Sequence, residues 1–234
     1  CRRPPARKGR RSRGRVSKRM SIRPRAKGCV TRCVTRLTRP AFLPMMRPMK
    51  GTNRLYLVRH GQVEGFERFP IYGRTDVEVT EVGRVQMEAL AERLRHVRIN
   101  AVFSSDLRRS VVGAQIIGRH HDAPVLSLPE LREMDFGAWE GLTLEEIRER
   151  FPEELRKREE DVLGYRMPGG GESLGAFSER VLACMKGILA EREGEDILLV
   201  AHGLVNRVLI CDALGLELSR IFGLHQGYGC LNII

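Results

Sequence analysis

Two short segments of this chain present the same residue types in the same setting. Leu57-Val58 runs into Arg59-His60-Gly61, and Val200-Ala201 runs into His202-Gly203. Each apolar run reads as a buried strand that delivers a histidine and then a glycine. A neutral imidazole is a good nucleophile near pH 7, and the glycine lets the backbone approach a ligand and turn an amide toward an anion. A third apolar run, Ala101-Val102-Phe103, leads into Ser104-Ser105-Asp106-Leu107-Arg108-Arg109. Two imidazoles and several guanidiniums at three strand ends make a site for an anion, and the arginine fork suits a phosphate. One His-Gly pair alone reads more simply as structural. The repeat behind two strands does not.

The elements that must position these residues are legible as alternating strands and helices. Leu55–Val58, Ala101–Phe103, a short piece at Val125-Leu126, Ile197–Ala201 and Leu231–Ile234 read as strands. Thr80 opens a helix with Met87, Leu90, Ala91 and Leu94 on one face. A second helix starts near Asp106 with Leu107, Val111 and Ala114 on its face. Thr143 and Glu146 form a capping box. Ser173 opens a helix striped by Leu174, Phe177, Val181 and Ile188, and a last helix carries Val205, Val208 and Leu209. This alternation predicts an α/β fold, a three-layer sandwich with a mostly parallel central sheet and helices on both faces. Such sheets bind ligands at the carboxyl ends of their strands, where both His-Gly pairs fall.

Composition sets the remaining limits. Hydrophobic residues make up 42% and charged residues 30% of the 234, as in globular proteins. No apolar run is long enough to span a membrane, so no membrane partner is expected. The net charge of +12 is confined: residues 1–50 hold 18 Lys and Arg and no acid, leaving 23 of the 41 basic residues against all 29 acidic ones, a net of −6. The basic segment is expected to be disordered. It reads as sequence upstream of a start at Met45, Met46 or Met49, in preference to a transit peptide or a nucleic-acid-binding arm. A nucleic-acid partner is disfavoured because Phe42 is the segment's only aromatic residue. The domain proper is 51–234. Cys29 and Cys33 have no second ligand pair for zinc, and Cys184, Cys211 and Cys230 lie in apolar stretches. A reducing, cytoplasmic compartment fits.

The motifs taken in order resemble one family. They are Leu57-Val58-Arg59-His60-Gly61-Gln62, Gly73-Arg74-Thr75-Asp76, Val79-Thr80-Glu81-Val82-Gly83-Arg84 and Ser104 to Arg109. Leu131-Arg132-Glu133 with Phe136-Gly137-Ala138-Trp139-Glu140-Gly141, Gly170-Gly171-Glu172-Ser173 and Val200-Ala201-His202-Gly203 complete the set. Over about 53–234 the chain resembles the histidine phosphatase superfamily, in the branch shared with cofactor-dependent phosphoglycerate mutases. The resemblance implies a phosphomonoesterase acting on a small phosphorylated metabolite, with a bisphosphoglycerate-dependent phosphoglycerate mutase as the alternative. It implies His60 as nucleophile, Glu133 as proton donor and His202 as charge stabiliser. Arg59, Arg109, the Gly203 amide and Gln62 would hold the phosphate, with Arg108 the neighbouring candidate to Arg109. No metal and no cofactor is required. Dimers are common in such folds, so a homodimer is compatible.

The chain departs from the family at Phe66, where many members carry a phosphate-binding asparagine. The segment Val63 to Tyr72 is apolar for a phosphate rim, so Phe66 and its neighbours would meet a bulky leaving group or pack into the domain. Some members hydrolyse α-ribazole phosphate, whose aromatic base fits that reading. No second cationic cluster is evident between Glu133 and Glu172, which favours a phosphatase over a mutase. The family's last strand commonly continues past where Ile234 stops, which implies truncation.

Overall fold

The computed structural model describes residues 51–68 and 70–234; the expectations for the basic segment 1–50, its disorder included, and for Phe69 lie outside the described residues. Five strands form one sheet: β1 (Arg54–Arg59), β2 (Ala101–Ser104), β3 (Val125–Ser127), β4 (Asp196–Ala201) and β5 (Leu231–Ile233). Their order is β3-β2-β4-β1-β5. The first four pair in parallel, and β5 closes the edge antiparallel to β1. The helices are α1 (Glu81–Leu94), α2 (Arg108–Gly118), α3 (Leu144–Arg150), α4 (Pro152–Glu160), α5 (Leu174–Glu191) and α6 (Gly203–Leu214).

The three layers follow from the two-residue period of the strands. Tyr56, Val58, Val102, Leu198 and Val200 cluster with Met87, Leu90 and Leu94 of α1 and Ala114 and Ile117 of α2. The alternate residues Leu55, Leu57, Phe103, Ile197 and Leu199 cluster with α5 and α6 through Phe177, Val181, Val205 and Val208. The helix starts are set by capping oxygens. Thr80 accepts the Gly83 amide at 3.0 Å, Ser173 accepts the Ala176 amide, and Thr143 with Glu146 closes both halves of a capping box. Among the described residues no helix is long and apolar enough to cross a membrane. Cys211 is buried, Cys184 and Cys230 are half-buried, and all three are free thiols.

Two expectations are corrected. α2 begins at Arg108, and its buried face is Arg109, Ser110, Gly113, Ala114 and Ile117, with Val111 only half-buried. Its first turn abuts the strand ends, where Arg109 and Ser110 find polar partners. Helix α4 was not foreseen, because Pro152 to Glu160 has no apolar stripe and buries no residue fully.

The register explains the duplicated motif. Arg59 pairs with Ala201, so His60 and His202 leave neighbouring strands at one level. Ser104 pairs with Val200 on the other side of β4, which brings Ser105 beside Ala201, one residue before His202.

Candidate active site

His60 is 4% exposed. Its Nδ1 lies 2.8 Å from the Gly61 carbonyl. A carbonyl oxygen can only accept, so Nδ1 carries the proton and Nε2 keeps its lone pair. Burial, then Arg109 and Arg59 beside it, holds the His60 pKa well below the ordinary imidazole range, against the opposing Gly61 carbonyl. His60 is therefore held neutral, with the Nε2 lone pair available. Its seat is rigid: a Cβ at Gly61 would overlap the Gly83 carbonyl, and one at Gly83 would overlap the Gln62 carbonyl. β1 and α1 thus meet glycine against glycine, an approach that no other residue permits.

His202 is fully buried, its ring centroid 5.3 Å from that of His60. Its Nε2 is 2.6 Å from the Ser105 hydroxyl and 3.3 Å from that of Ser110. Its Nδ1 has no partner among the described residues. Burial first, then Arg109, His60, Arg59 and Arg180, holds His202 neutral as well. Gly203 is the first residue of α6, where an amide has no carbonyl a turn earlier to bond. The space a Cβ would occupy at Gly203 lies 3.6 Å from both Arg59 Nε and Arg207 Nη1.

Two guanidiniums flank the histidines. Arg109, 1% exposed, is fixed by bonds from Nη1 to the Thr75 carbonyl (2.7 Å) and from Nη2 to the Gly73 carbonyl (2.6 Å). Arg59 donates from Nη1 to the Gln226 carbonyl at 2.6 Å and stacks 4.1 Å from the Tyr228 ring centre. Both Nε atoms are buried without a partner among the described residues. Arg108 is solvated and ion-paired with Glu78, and of the two adjacent arginines only Arg109 lines the cavity.

Glu133 is half-buried in the cavity wall. Its Oε1 accepts the Met134 amide at 3.0 Å and its Oε2 accepts the Leu204 amide at 3.1 Å. Burial raises its pKa above the ordinary carboxylate value, against those amides and the two arginines. Its loop is strapped by Arg180 of α5, which donates to the carbonyls of Glu130 (2.6 Å) and Arg132 (3.2 Å) while paired with Glu172. A carboxyl raised above its ordinary value, a free imidazole nitrogen and two guanidiniums with unpartnered Nε atoms are groups that can together transfer a phosphoryl group.

The histidine phosphatase superfamily (branch 1) model matches residues 55–234. The chain belongs to that superfamily. Its relatives include phosphatases: this histidine phosphatase is 28% identical over 179 residues to Phosphoserine phosphatase 1 of Hydrogenobacter thermophilus, covering 76% of this chain and 82% of the relative. A putative α-ribazole-5'-P phosphatase from Escherichia coli superposes with a TM-score of 0.72 at 27% identity, over 78% of this chain and 89% of that one. A phosphoserine phosphatase variant from Entamoeba histolytica, in complex with phosphoserine, gives 0.70 at 25% identity over 78% and 90%. The kinship favours a phosphatase over a mutase.

The histidine phosphatase site opens into a cavity of about 460 Å³ lined by His60, Arg59, Arg109 and Glu133. Two candidates do not reach it. The Gln62 amide oxygen accepts the Thr80 hydroxyl at 2.9 Å, so this side chain ties β1 to the cap of α1 and does not stand in for the missing asparagine. Phe66 sits half-buried in a 3₁₀ turn (Phe66–Arg68) away from the lining. The apolar rim is instead Pro70, Ile71 and Tyr72, with Phe136 and Trp139 also in the wall. Three further site residues carry no mark in the sequence analysis: Tyr228, Arg207 and Arg158. Arg207 stands four residues after Gly203 on one helix face, a spacing that could have flagged it. Between Glu133 and Glu172, where no second cationic cluster is expected, Arg158 is the one cation in the cavity lining.

Proposed function

We propose that this enzyme hydrolyses phosphate monoesters through a phosphohistidine on His60. The reading rests on one observation: a neutral imidazole whose free Nε2 neighbours three unpaired buried nitrogens, Arg59 Nε, Arg109 Nε and His202 Nδ1. In this reading the phosphate lies among those groups and the Gly203 amide. His60 Nε2 attacks phosphorus as the bond to the leaving oxygen breaks, and Glu133 gives that oxygen its proton. The resulting carboxylate then takes a proton from water, whose oxygen attacks the phosphohistidine and returns inorganic phosphate and free His60. The donors are preorganised for the charge that spreads over the transferring group, which is where most of the acceleration arises. The apolar wall suits a leaving alcohol with a sizeable body.

The test is His60→Ala, which removes the nucleophile and keeps the fold. Acid-labile, base-stable labelled phosphate is expected on the wild type and not on the variant, with phosphatase activity lost. Wild-type turnover by the variant refutes the covalent route. Incubation with 3-phosphoglycerate, following free phosphate and 2-phosphoglycerate together, separates hydrolysis from mutase turnover.

A further inference from the structure

Helix α4 is a run of charged residues whose cations are almost all neutralised in place. Arg156 pairs with Glu153 and Glu160, and Lys157 pairs with Glu154. Arg158 is the exception. It is half-buried, lines the cavity, and among the described residues has no ion pair or hydrogen bond. Its guanidinium lies 5.2 Å over the Phe222 ring, which also lines the cavity. Burial lowers its pKa, and only its chain neighbour Glu159 opposes this. A cation held out of water without a partner is costly, whereas acids for pairing are abundant on the same helix.

The cavity's charges do not balance around a single phosphate. Four arginines line it, Arg59, Arg109, Arg158 and Arg207, against one carboxylate, Glu133. Asp76 and Glu140 offset Arg109 from outside the lining. Arg207 is fixed by its Nε on the Leu224 carbonyl at 2.6 Å and feels Arg59 beside it. Arg158 comes from α4, a different element from the β1 end and the first turn of α2 that supply Arg59 and Arg109. A phosphate monoester dianion engages Arg59 and Arg109 and leaves Arg158 unanswered.

We infer that the leaving alcohol carries a second anion, a carboxylate or another phosphate, which Arg158 grips from α4 with Arg207 bridging toward the transferred phosphate. The body between the two anions packs on Leu155, Phe222, Trp139 and Ile71. This inference rests on the phosphatase reading and names its substrate class. A guanidinium is suited to both anions, because its fork matches their paired oxygens.

The test compares kcat/KM of the full chain on phenyl phosphate, 4-phosphooxybenzoate and 1,4-phenylene bisphosphate, for the wild type and Arg158→Met. Methionine keeps the stem and the helix propensity of the arginine. A hydrogen bond to a charged group predicts that one or both anionic substrates are preferred over phenyl phosphate by about 10- to 100-fold, and that Arg158→Met removes at least about 10-fold of that preference. Which of the two is preferred identifies the carboxylate or the phosphate. Arg158→Lys retains part of the preference. The ratio cancels any general loss of fold, because phenyl phosphate reports it. Equal use of all three substrates, with the same ratios in Arg158→Met, overturns the inference, leaves the phosphatase reading standing and reduces Arg158 to a partner of Phe222. No phosphate release from any of the three overturns both.

Discussion

Arg109→Met separates the work of a buried cation from that of its exposed neighbour. Methionine preserves the stem packing and removes the charge with both donors. The buried carbonyl of Gly73 loses a bond of 2.6 Å where water cannot fully replace it, and the Thr75 carbonyl loses a part-buried one of 2.7 Å. A buried polar group left unpaired costs about 1–3 kcal/mol, so the pair costs at most about 2–6 kcal/mol of a total of roughly 5–15 kcal/mol. In a domain of this size that lowers Tm by at most roughly 4–24 °C. Removing one preorganised donor from a developing anion costs about 10²- to 10³-fold in kcat. The loss also frees His60 of one of its two neighbouring cations, so the acid limb of kcat/KM moves to higher pH. Arg108→Met is the control. That side chain is 67% exposed in its pair with Glu78, and a solvated ion pair contributes about 0–1 kcal/mol. Thermal unfolding and steady-state kinetics on both variants decide the matter. A kcat for Arg109→Met within about twofold of the wild type, or equal losses in the two variants, refutes the reasoning.

Glu133→Gln is expected to lower kcat about 10²- to 10⁴-fold on an alkyl phosphate and far less on p-nitrophenyl phosphate, whose leaving oxygen needs no proton. Equal losses on both substrates would remove Glu133 from the acid role. The two histidines make stability fall on acidification: both are held below the unfolded value of 6.5, so from about pH 6.5 downward the unfolded chain binds protons that the native state refuses. The slope is at most about 1.4 kcal/mol per pH unit for each histidine. Glu133, raised above its unfolded 4.5, acts in the opposite sense, its contribution being full below that value and lost as pH rises through the folded one. Urea unfolding midpoints that do not fall between about pH 7.5 and about pH 5.5 would show that the imidazoles are not buried neutral.

The fold was legible because its strands are short apolar runs and its helix starts carry Thr80, Thr143 and Ser173 as capping side chains. The strand-end chemistry was legible because adjacent parallel strands in register deliver equivalent residues to one edge, which turns a repeated His-Gly into a spatial pair. What sequence did not disclose arrives by tertiary routes. Arg158 lies in a helix of nearly uniform charge, where no periodic stripe marks the one side chain that turns inward. Tyr228 reaches Arg59 from the last loop, and neither its type nor its neighbours signal a role. Gln62 and Phe66 were assigned by position relative to His60, whereas the chain turns at once to pack on α1, and position along a turning chain does not translate into direction.

The glycine contact beneath the nucleophile bears on how such a protein can change. At Gly61 and Gly83 the obstacle to a side chain is main chain on the facing element, so a compensating substitution at the partner position gives no relief. The floor of the site is closed to stepwise mutation. The wall is not: around Arg158, contacts are made by side chains on a surface helix and can be exchanged one at a time. New specificities on this framework are therefore reached by single substitutions in α4 and the loop before Gly73, with the seat of His60 inherited intact.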